Sequence, residues 1–435
     1  MQLFMKVLVI GGGGREHALV TALQKSPRVT ELVCAPGNGG ISALAHCVPA
    51  KVGDLADLLR VVASENPDFT IVGPEVPLSI GLVDEMQRQA RRVFGPTKAA
   101  AELESSKAFA KEFMRRHQIP TAHYAVCVSL AEVDKALKLF DTPLVVKADG
   151  LAAGKGVVIC ETKDEALAAA RSMFEGSLLG SIEMRVVLEE FLVGEEVSFL
   201  LLSDGVSVAA LVPAQDHKRI GEGDSGANTG GMGAYSVDSL LAPEMREWIV
   251  EHIARPVVQG MAAEGRKFVG VLYCGLMMTA RGPMVLEFNT RFGDPETEAV
   301  LPRLESDLLE AFEACVDGTL AAFQASEHRL RWNRCASACV VAASSGYPGK
   351  FTVGREISGL DAAAEIPGVK IYHAGTALAD GKLVTSGGRV LVAAAAAPTL
   401  EGALARCYEA LARIKFDGMY FRRDIGHLAL KKERR

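Results

Sequence analysis

Short apolar runs separated by longer amphipathic stretches set the rhythm of the first hundred residues. Lys6-Val7-Leu8-Val9-Ile10 is followed by four glycines, Gly11 to Gly14, and then by Arg15-Glu16-His17-Ala18-Leu19. An apolar run of that length bounded by turn residues predicts a buried parallel strand, and the segment after the glycines predicts a helix. The alternation continues with a strand near 32–34, a helix over 54–64, a strand over 68–72 and another ending at Val93-Phe94. Strands alternating with helices predict an open parallel sheet. Three loops follow strands in it: Gly11 to Gly14, Pro36-Gly37-Asn38 and Gly73-Pro74-Glu75. Ligands of open parallel sheets bind at that strand end. A glycine loop opening a helix is an anion site, because free N–H groups and the helix dipole face it. It is not a dinucleotide fingerprint: Glu16 stands where the third glycine belongs, and no acid after the second strand is placed for a ribose.

The pattern then changes. Residues 99–117 read as a helix carrying Ser105-Ser106-Lys107 and ending before Pro120. Pro143-Leu144-Val145-Val146-Lys147 predicts a strand, Val157-Val158-Ile159 its partner, and Gly150, Gly154, Lys155 and Gly156 a mobile hairpin tip suited to folding over phosphates. A P-loop fails on spacing, and Gly156 replaces the hydroxyl residue that would bind Mg²⁺. A strand over 185–192 runs into Val193-Gly194-Glu195-Glu196, and paired strands are expected at 197–202 and 207–213. Residues 215–235 read as one long polar, glycine-rich loop, and a loop of that length in a compact domain is more often functional than idle. A strand over 269–278, another entered at Gly282-Pro283, and a helix over 298–315 follow. After Gly318 the reading is mixed α/β, with strands at 336–343, near 371, at 383–385 and 389–396, a helix over 401–414, and a solvated tail from Lys431.

At 435 residues the chain is too long for one ordinary core, and length predicts about three domains. A formal charge of −6 gives no bulk reason to bind nucleic acid or an anionic membrane. No apolar run approaches the ~18 residues of a membrane span, and the first one stops at Gly11, which argues against a signal peptide. Nine cysteines without a Cys-x-x-Cys pair predict reduced thiols and a reducing cytoplasm.

The chemistry concentrates at Glu287-Phe288-Asn289-Thr290-Arg291-Phe292-Gly293-Asp294-Pro295-Glu296. Strand alternation puts Glu287 and Asn289 on one face and Phe288 on the other, with Arg291 continuing the row if the strand extends. A carboxylate and an amide oxygen one repeat apart can hold Mg²⁺. An arginine beside them can grip a carboxylate or phosphoryl group. Gly293 and Pro295 predict a tight turn displaying Asp294 and Glu296. A solvated edge strand is the competing reading of Glu-x-Asn taken alone.

This segment closely resembles the metal-binding segment of the glycinamide ribonucleotide synthetases, an ATP-grasp family of purine synthesis. Gly-Gly-Gly-Gly-Arg-Glu-His near the N-terminus and Tyr420-Phe421-Arg422-Arg423-Asp424-Ile425-Gly426 near the C-terminus are similar to other motifs of that family. The resemblance implies an α/β chain in three parts: an N-terminal Rossmann-like parallel-sheet domain (1–104, with Met5 as its functional start), an ATP-grasp domain (105–326) with a mobile lid about 122–192, and a C-terminal mixed α/β domain (327–435). It implies Glu287 and Asn289 as metal ligands, and Arg291, Asp216 and Lys218 as catalytic groups. ATP would be held by Lys107, Lys147, Gly154, Lys155, Gly156, Glu189, the Phe191 and Leu192 backbone, and Glu195 or Glu196. Substrate contacts would come from Gly11, Gly12, Gly13, Gly14, Arg15, Gly37, Asn38, Pro74, Glu75, His217, Arg219, Asn228, Gly230, Gly231, Asp294, Pro295 and Glu296. From spacing alone His217 reads as a polar group, since no second histidine sits at ligand spacing.

The implied reaction is ATP + glycine + 5-phosphoribosylamine → ADP + phosphate + glycinamide ribonucleotide, with Mg²⁺ or Mn²⁺, in a cytoplasmic monomer without nucleic-acid or membrane partners. Two alternatives stay open. One is an ATP-grasp ligase for another sugar amine; the other is a non-catalytic nucleotide-binding regulator, against which the intact Glu-x-Asn-x-Arg row argues.

Overall fold

The computed structural model describes residues 4–151, 156–176 and 184–433. Its first five strands lie side by side in the order His46–Cys47, Val29–Pro36, Met5–Gly11, Phe69–Val72, Val93–Phe94, all parallel. Alternate residues of the first strand enter two different cores. Val7 and Val9 face the helices Gly14–Leu23 and Leu308–Val316, while Leu8 and Ile10 face Leu55–Glu65 and Leu82–Arg88. That is why the run is apolar throughout: a parallel strand covered on both faces has no side free for polar residues. The strand order reverses beside Met5–Gly11, which sets Gly11 and Gly73 on either side of a crevice. A side chain on Gly12 would meet the Gly37 carbonyl at 2.3 Å, so the glycine lets two of the loops touch.

Two antiparallel four-stranded sheets follow. One runs Val208–Ala210, Glu195–Asp204, Val269–Thr279, Gly282–Asn289. The other runs Tyr124–Cys127, Val186–Glu190, Leu144–Ala148, Val157–Cys160, backed by the helices Leu130–Ala136 and Lys163–Glu175. The last sheet takes Gln215–Asp216, Gly233–Ser236, Ala336–Ser344, Arg389–Ala397 and Val369–His373 in that order, with Met419–Tyr420 paired to Ala336–Ser344. Its small residues, Ala338, Ala393 and Ala395, share a core with Ala403, Cys407 and Ala410 of the helix Leu400–Arg413.

Three expectations are corrected. The helix over 99–117 is two helices, Lys98–Ser105 and Lys107–Arg116, because Ser106 leaves the helical conformation and caps the second, accepting from the Phe109 N–H at 3.1 Å. The helix over 298–315 is Glu296–Val300, a tight turn at Leu301–Arg303 and Leu308–Val316, which begins where Asp307 accepts from the Leu309 N–H at 2.8 Å. The long loop over 215–235 is ordered. Gln215–Asp216 and Gly233–Ser236 are strands of the last sheet, and between them Arg219–Gly221 and Ser225–Asn228 form a hairpin. Lys431 and Lys432 of the tail are exposed, as expected; residues 431–433 close the helix His427–Glu433, and Lys432 pairs with Glu195 at 2.5 Å.

The N-terminal and C-terminal parts meet at two neutral histidines. His17 Nδ1 accepts from the His373 N–H at 2.8 Å, and His373 Nδ1 lies 3.1 Å from Thr376 Oγ1. Burial, with the neighbouring His373 adding to it, lowers His17 to about 3, and burial lowers His373 to about 4. The unfolded chain takes up these protons near pH 6.5 and the folded chain does not. Their stabilising contribution is therefore complete above pH 6.5 and is lost as pH falls toward 4 and 3. Each ring costs about 2 kcal/mol between pH 7 and pH 5. Urea unfolding of His17→Gln at the two pH values is expected to show a pH-dependent loss smaller by about that amount than the parent's; equal losses would refute it.

Candidate active site

The strand Gly282–Asn289 pairs with Val269–Thr279 so that Asn289 lies opposite Tyr273 and Glu287 opposite Gly275. Phe288 between them is buried in the core under the sheet, so the strand pleat turns Glu287 and Asn289 to the same, opposite face. Three lysines from three separate elements act on Glu287. Lys218, from the segment between two strands of the last sheet, lies 3.9 Å from its Oε1. Lys147, on Leu144–Ala148, reaches the Leu286 carbonyl at 3.4 Å. Lys107, in the first turn of Lys107–Arg116, donates to the Gly150 carbonyl at 2.8 Å. Burial would push Glu287 up, but Lys218, Lys147, Lys107 and Arg291 outweigh it and hold the carboxyl below the usual range. An ionised carboxylate beside an amide oxygen is a hard-cation donor set, so the pair fits Mg²⁺ or Mn²⁺.

Negative charge crowds the neighbouring Asp216. Lys218 forms a close ion pair with Glu196, and Asp216 and Glu296 lie near. Burial lowers Lys218, but Glu196, Asp216 and Glu287 together carry it well above an ordinary lysine. Burial also drives Asp216 well above the carboxylate range; Lys218 opposes this, while Glu296, Glu196 and Glu287 reinforce it. A divalent cation at Glu287 and Asn289 would relieve that crowding.

Glu296 corrects an expectation. It is not displayed by the turn but buried at the start of Glu296–Val300, accepting from Tyr273 Oη at 2.5 Å and from Ser198 Oγ at 3.2 Å. The strand Gly282–Asn289 ends at Asn289, and Arg291 does not extend its row. Its guanidinium is instead held by Glu75 at 3.3 Å and Glu104 at 3.1 Å. Burial pushes Glu75 up, and Arg291 and Arg15 bring it below its ordinary value.

The N-terminal loops reach the same region. Gly13 N–H donates to Glu16 Oε2 at 2.6 Å, and Arg15 bridges Glu16 Oε1 at 2.6 Å and the Phe292 carbonyl at 3.1 Å. Asn38 donates to the carbonyls of Gly12 at 2.9 Å and His373 at 2.7 Å. Pro74 precedes the short helix Glu75–Ser79, so Glu75 lies in a helical first turn and not in a loop. Gly14 opens the helix Gly14–Leu23, and Gly37 sits beside Cys47. Asp294 joins the assembly through Arg389, which donates to Asp294 Oδ1 at 2.9 Å and to the carbonyls of Asp294 and Gly230 at 2.8 Å each. Gly231 approaches the Pro295 ring so closely that a side chain there would lie 2.3 Å from it.

The three adjacent basic residues His217, Lys218 and Arg219 separate. Strand-like alternation sends Lys218 into the cleft and its neighbours elsewhere. His217 is buried against the C-terminal segment, its Nε2 accepting from the Gly426 N–H at 2.9 Å and its Nδ1 lying 3.3 Å from Asp224. Arg219 closes its own hairpin onto the Gly226 carbonyl at 2.7 Å, opposite Asn228. His427 comes close to His217 and Asp224, a histidine the linear spacing did not reveal. A cation already fills that corner, for Arg422 pairs with Asp224 at 2.8 Å.

At the expected nucleotide hinge, Glu189 points inward and is buried between Lys147 at 2.9 Å and Lys111 at 2.8 Å. Phe191 and Leu192 follow the strand Val186–Glu190, and Glu195 is engaged by Lys432. The Gly156 carbonyl accepts from the Ala148 N–H at 2.8 Å and closes the base of the hairpin; Gly154 and Lys155 lie outside the described residues. Sequence reasoning missed Lys111, Glu104, Tyr273 and Arg389. Only Lys111 left a signal, one helical turn beyond Lys107 on the same face.

Comparison with known proteins agrees along the chain. Family profiles described as Phosphoribosylglycinamide synthetase, N domain, ATP-grasp (A) domain and C domain match residues 5–104, 105–297 and 337–428. The chain is 49% identical to a phosphoribosylamine–glycine ligase of Xanthomonas campestris pv. campestris and 46% identical to one of Pseudomonas aeruginosa, covering 99% of each chain and 99% of this one. The crystal structure of the phosphoribosylamine–glycine ligase of Thermotoga maritima, 33% identical, superposes with a TM-score of 0.79 over 97% of this chain and 100% of that one. With its glycine-loop sheet, its two antiparallel sheets around Glu287 and its C-terminal sheet all matched, the chain belongs to the phosphoribosylglycinamide synthetase family of ATP-grasp proteins.

Proposed function

We propose that the chain is an ATP-dependent ligase that joins glycine to 5-phosphoribosylamine in purine biosynthesis, releasing ADP and phosphate with glycinamide ribonucleotide. The observation that carries this reading is the row of Glu287 and Asn289 faced by Lys107, Lys147 and Lys218 from three different elements. A carboxylate is a poor electrophile, so the glycine carboxylate is first phosphorylated by ATP. The resulting acyl phosphate is attacked by the sugar amine, and phosphate leaves. Lys107 and Lys147 contact the phosphates, and their fixed charge acts where negative charge develops. Glu287 and Asn289 would hold the divalent ion, Mg²⁺ or Mn²⁺, which supplies charge neutralisation between phosphate oxygens.

Lys218, Asp216 and Arg291 stand at the reacting end, where Lys218 offsets the charge of Glu196, Asp216 and Glu287. The backbone at Phe191 and Leu192 takes the adenine edge. The loops at Gly11–Gly14, Gly37-Asn38 and Pro74-Glu75, with Gly230, Gly231 and Asp294, take the sugar phosphate and glycine. Residues 1–104, 105–326 and 327–435 divide this work as sugar site, ATP site and cover. No side-chain nucleophile is needed, and burial raises all nine cysteine thiols above their ordinary value. Among the described residues no helix is long and apolar enough to cross a membrane. The same reading takes the protein as a cytoplasmic monomer without a nucleic-acid partner.

ADP release is expected to depend on glycine together with 5-phosphoribosylamine; equal release with other amino acids would overturn the substrate assignment. Glu287→Ala and Asn289→Ala are each expected to lower kcat/KM about a hundredfold or more, with far-UV circular dichroism unchanged. Near-normal rates in both at limiting Mg²⁺ would refute the metal assignment. Lys218→Met is expected to lower kcat yet tighten Mn²⁺ binding in calorimetry, because it removes a competing positive charge 3.9 Å from Glu287. Weaker Mn²⁺ binding would show that Lys218 organises the metal pair and does not compete with it.

A further inference from the structure

Lys111 has no part in the chemistry above, yet its side chain is only 3% exposed. Its Nζ donates to Thr121 Oγ1 at 2.7 Å and pairs with Glu189 Oε2 at 2.8 Å. Thr121 Oγ1 donates in turn to the Val285 carbonyl at 2.6 Å, which ties this corner to the strand that carries Glu287. The other oxygen of Glu189, Oε1, pairs with Lys147 Nζ at 2.9 Å. One buried carboxylate therefore serves two buried ammonium groups.

Buried charge is costly unless paired. Glu287 adds negative charge that both Lys111 and Lys147 feel, and Lys107, with its ammonium on the Gly150 carbonyl, is offset by Glu287 and Asp149. Burial, opposed chiefly by Glu189, lowers Lys111 to about 8, so it remains mostly charged at neutral pH.

Lys111 also decides how Glu189 meets Lys147. With Oε2 taken by Lys111, Lys147 has a single carboxylate oxygen to bind; a second of its three donors reaches the Leu286 carbonyl at 3.4 Å, and the third stays available. Were Lys111 absent, both oxygens would face Lys147 alone and draw its ammonium onto the carboxylate. We infer that Lys111 is a positioning residue for nucleotide binding: it occupies one oxygen of Glu189 so that the Lys147 ammonium keeps a donor and charge for the phosphates of ATP. This rests on the reading of Lys147 as a phosphate contact.

The test measures the Kd for ATP by calorimetry without glycine, and KM for ATP and for glycine, in full-length Lys111→Met, Lys147→Met and the double variant. Lys111→Met is expected to weaken ATP about tenfold, to leave KM for glycine unchanged, and to cause no further loss when Lys147 is already methionine. An unchanged Kd for ATP, a parallel rise in KM for glycine, or the same loss in both backgrounds would overturn the inference. Normal ATP binding by Lys147→Met would instead remove the phosphate reading of Lys147 and the inference with it. Should Lys111→Met not fold, Thr121→Val must weaken ATP without changing KM for glycine, and an unchanged Kd in that variant overturns the inference equally.

Discussion

A partly buried ammonium among carboxylates is stable only if every partner is held at a fixed distance, and the region around Lys218 meets that condition with parts drawn from distant stretches of chain. Glu196 comes from the strand Glu195–Asp204, Glu287 from Gly282–Asn289, and Lys218 itself follows a strand of the C-terminal sheet. Interactions of this kind strengthen as water is excluded and weaken steeply with separation. The surrounding sheets therefore need to be rigid and mutually anchored. The register of Glu195–Asp204 against Val269–Thr279, continuous over ten residue pairs, supplies part of that anchoring.

The same logic orders the rest of the cleft. Cations and carboxylates alternate through it: Lys111, Glu189, Lys147, then Glu287, Lys218, Glu196, and on the far side Glu75, Arg291, Glu104. Each group is stabilised by neighbours of opposite sign, and the local imbalance is informative. The Asp216 end carries too much negative charge. A divalent cation has the sign that would relieve it.

Much of the fold was legible in the sequence because hydrophobic periodicity and turn residues act locally. The strand at Met5–Gly11 and the hairpin partners Leu144–Ala148 and Val157–Cys160 lie within a residue or two of their predicted positions. Helix ends were less legible where a polar side chain overrides the periodic pattern, as Ser106 and Asp307 do. In the site, the facing of Glu287 and Asn289 followed from strand alternation. The partners of Arg291, the burial of Glu296 and the sharing of Glu189 did not, since each depends on which distant element packs opposite. The loop over 215–235 misled for a related reason: its last strand, Gly233–Ser236, pairs with Ala336–Ser344 about a hundred residues away, and nothing local announces such a partner.

The C-terminal sheet borrows two of its strands, Gln215–Asp216 and Gly233–Ser236, from the middle of the chain. The segment between them holds Lys218 and the hairpin that Tyr420 and Arg422 grip from the C-terminal end, through the Ile220 carbonyl at 2.8 Å and the Arg219 carbonyl at 3.0 Å. The last hundred residues are thus no detachable module. Amputating them would strip the ammonium of its scaffold, and transplanting them onto another ligase would fail unless the borrowed segment travelled along, so the two regions are obliged to change together as the sequence drifts.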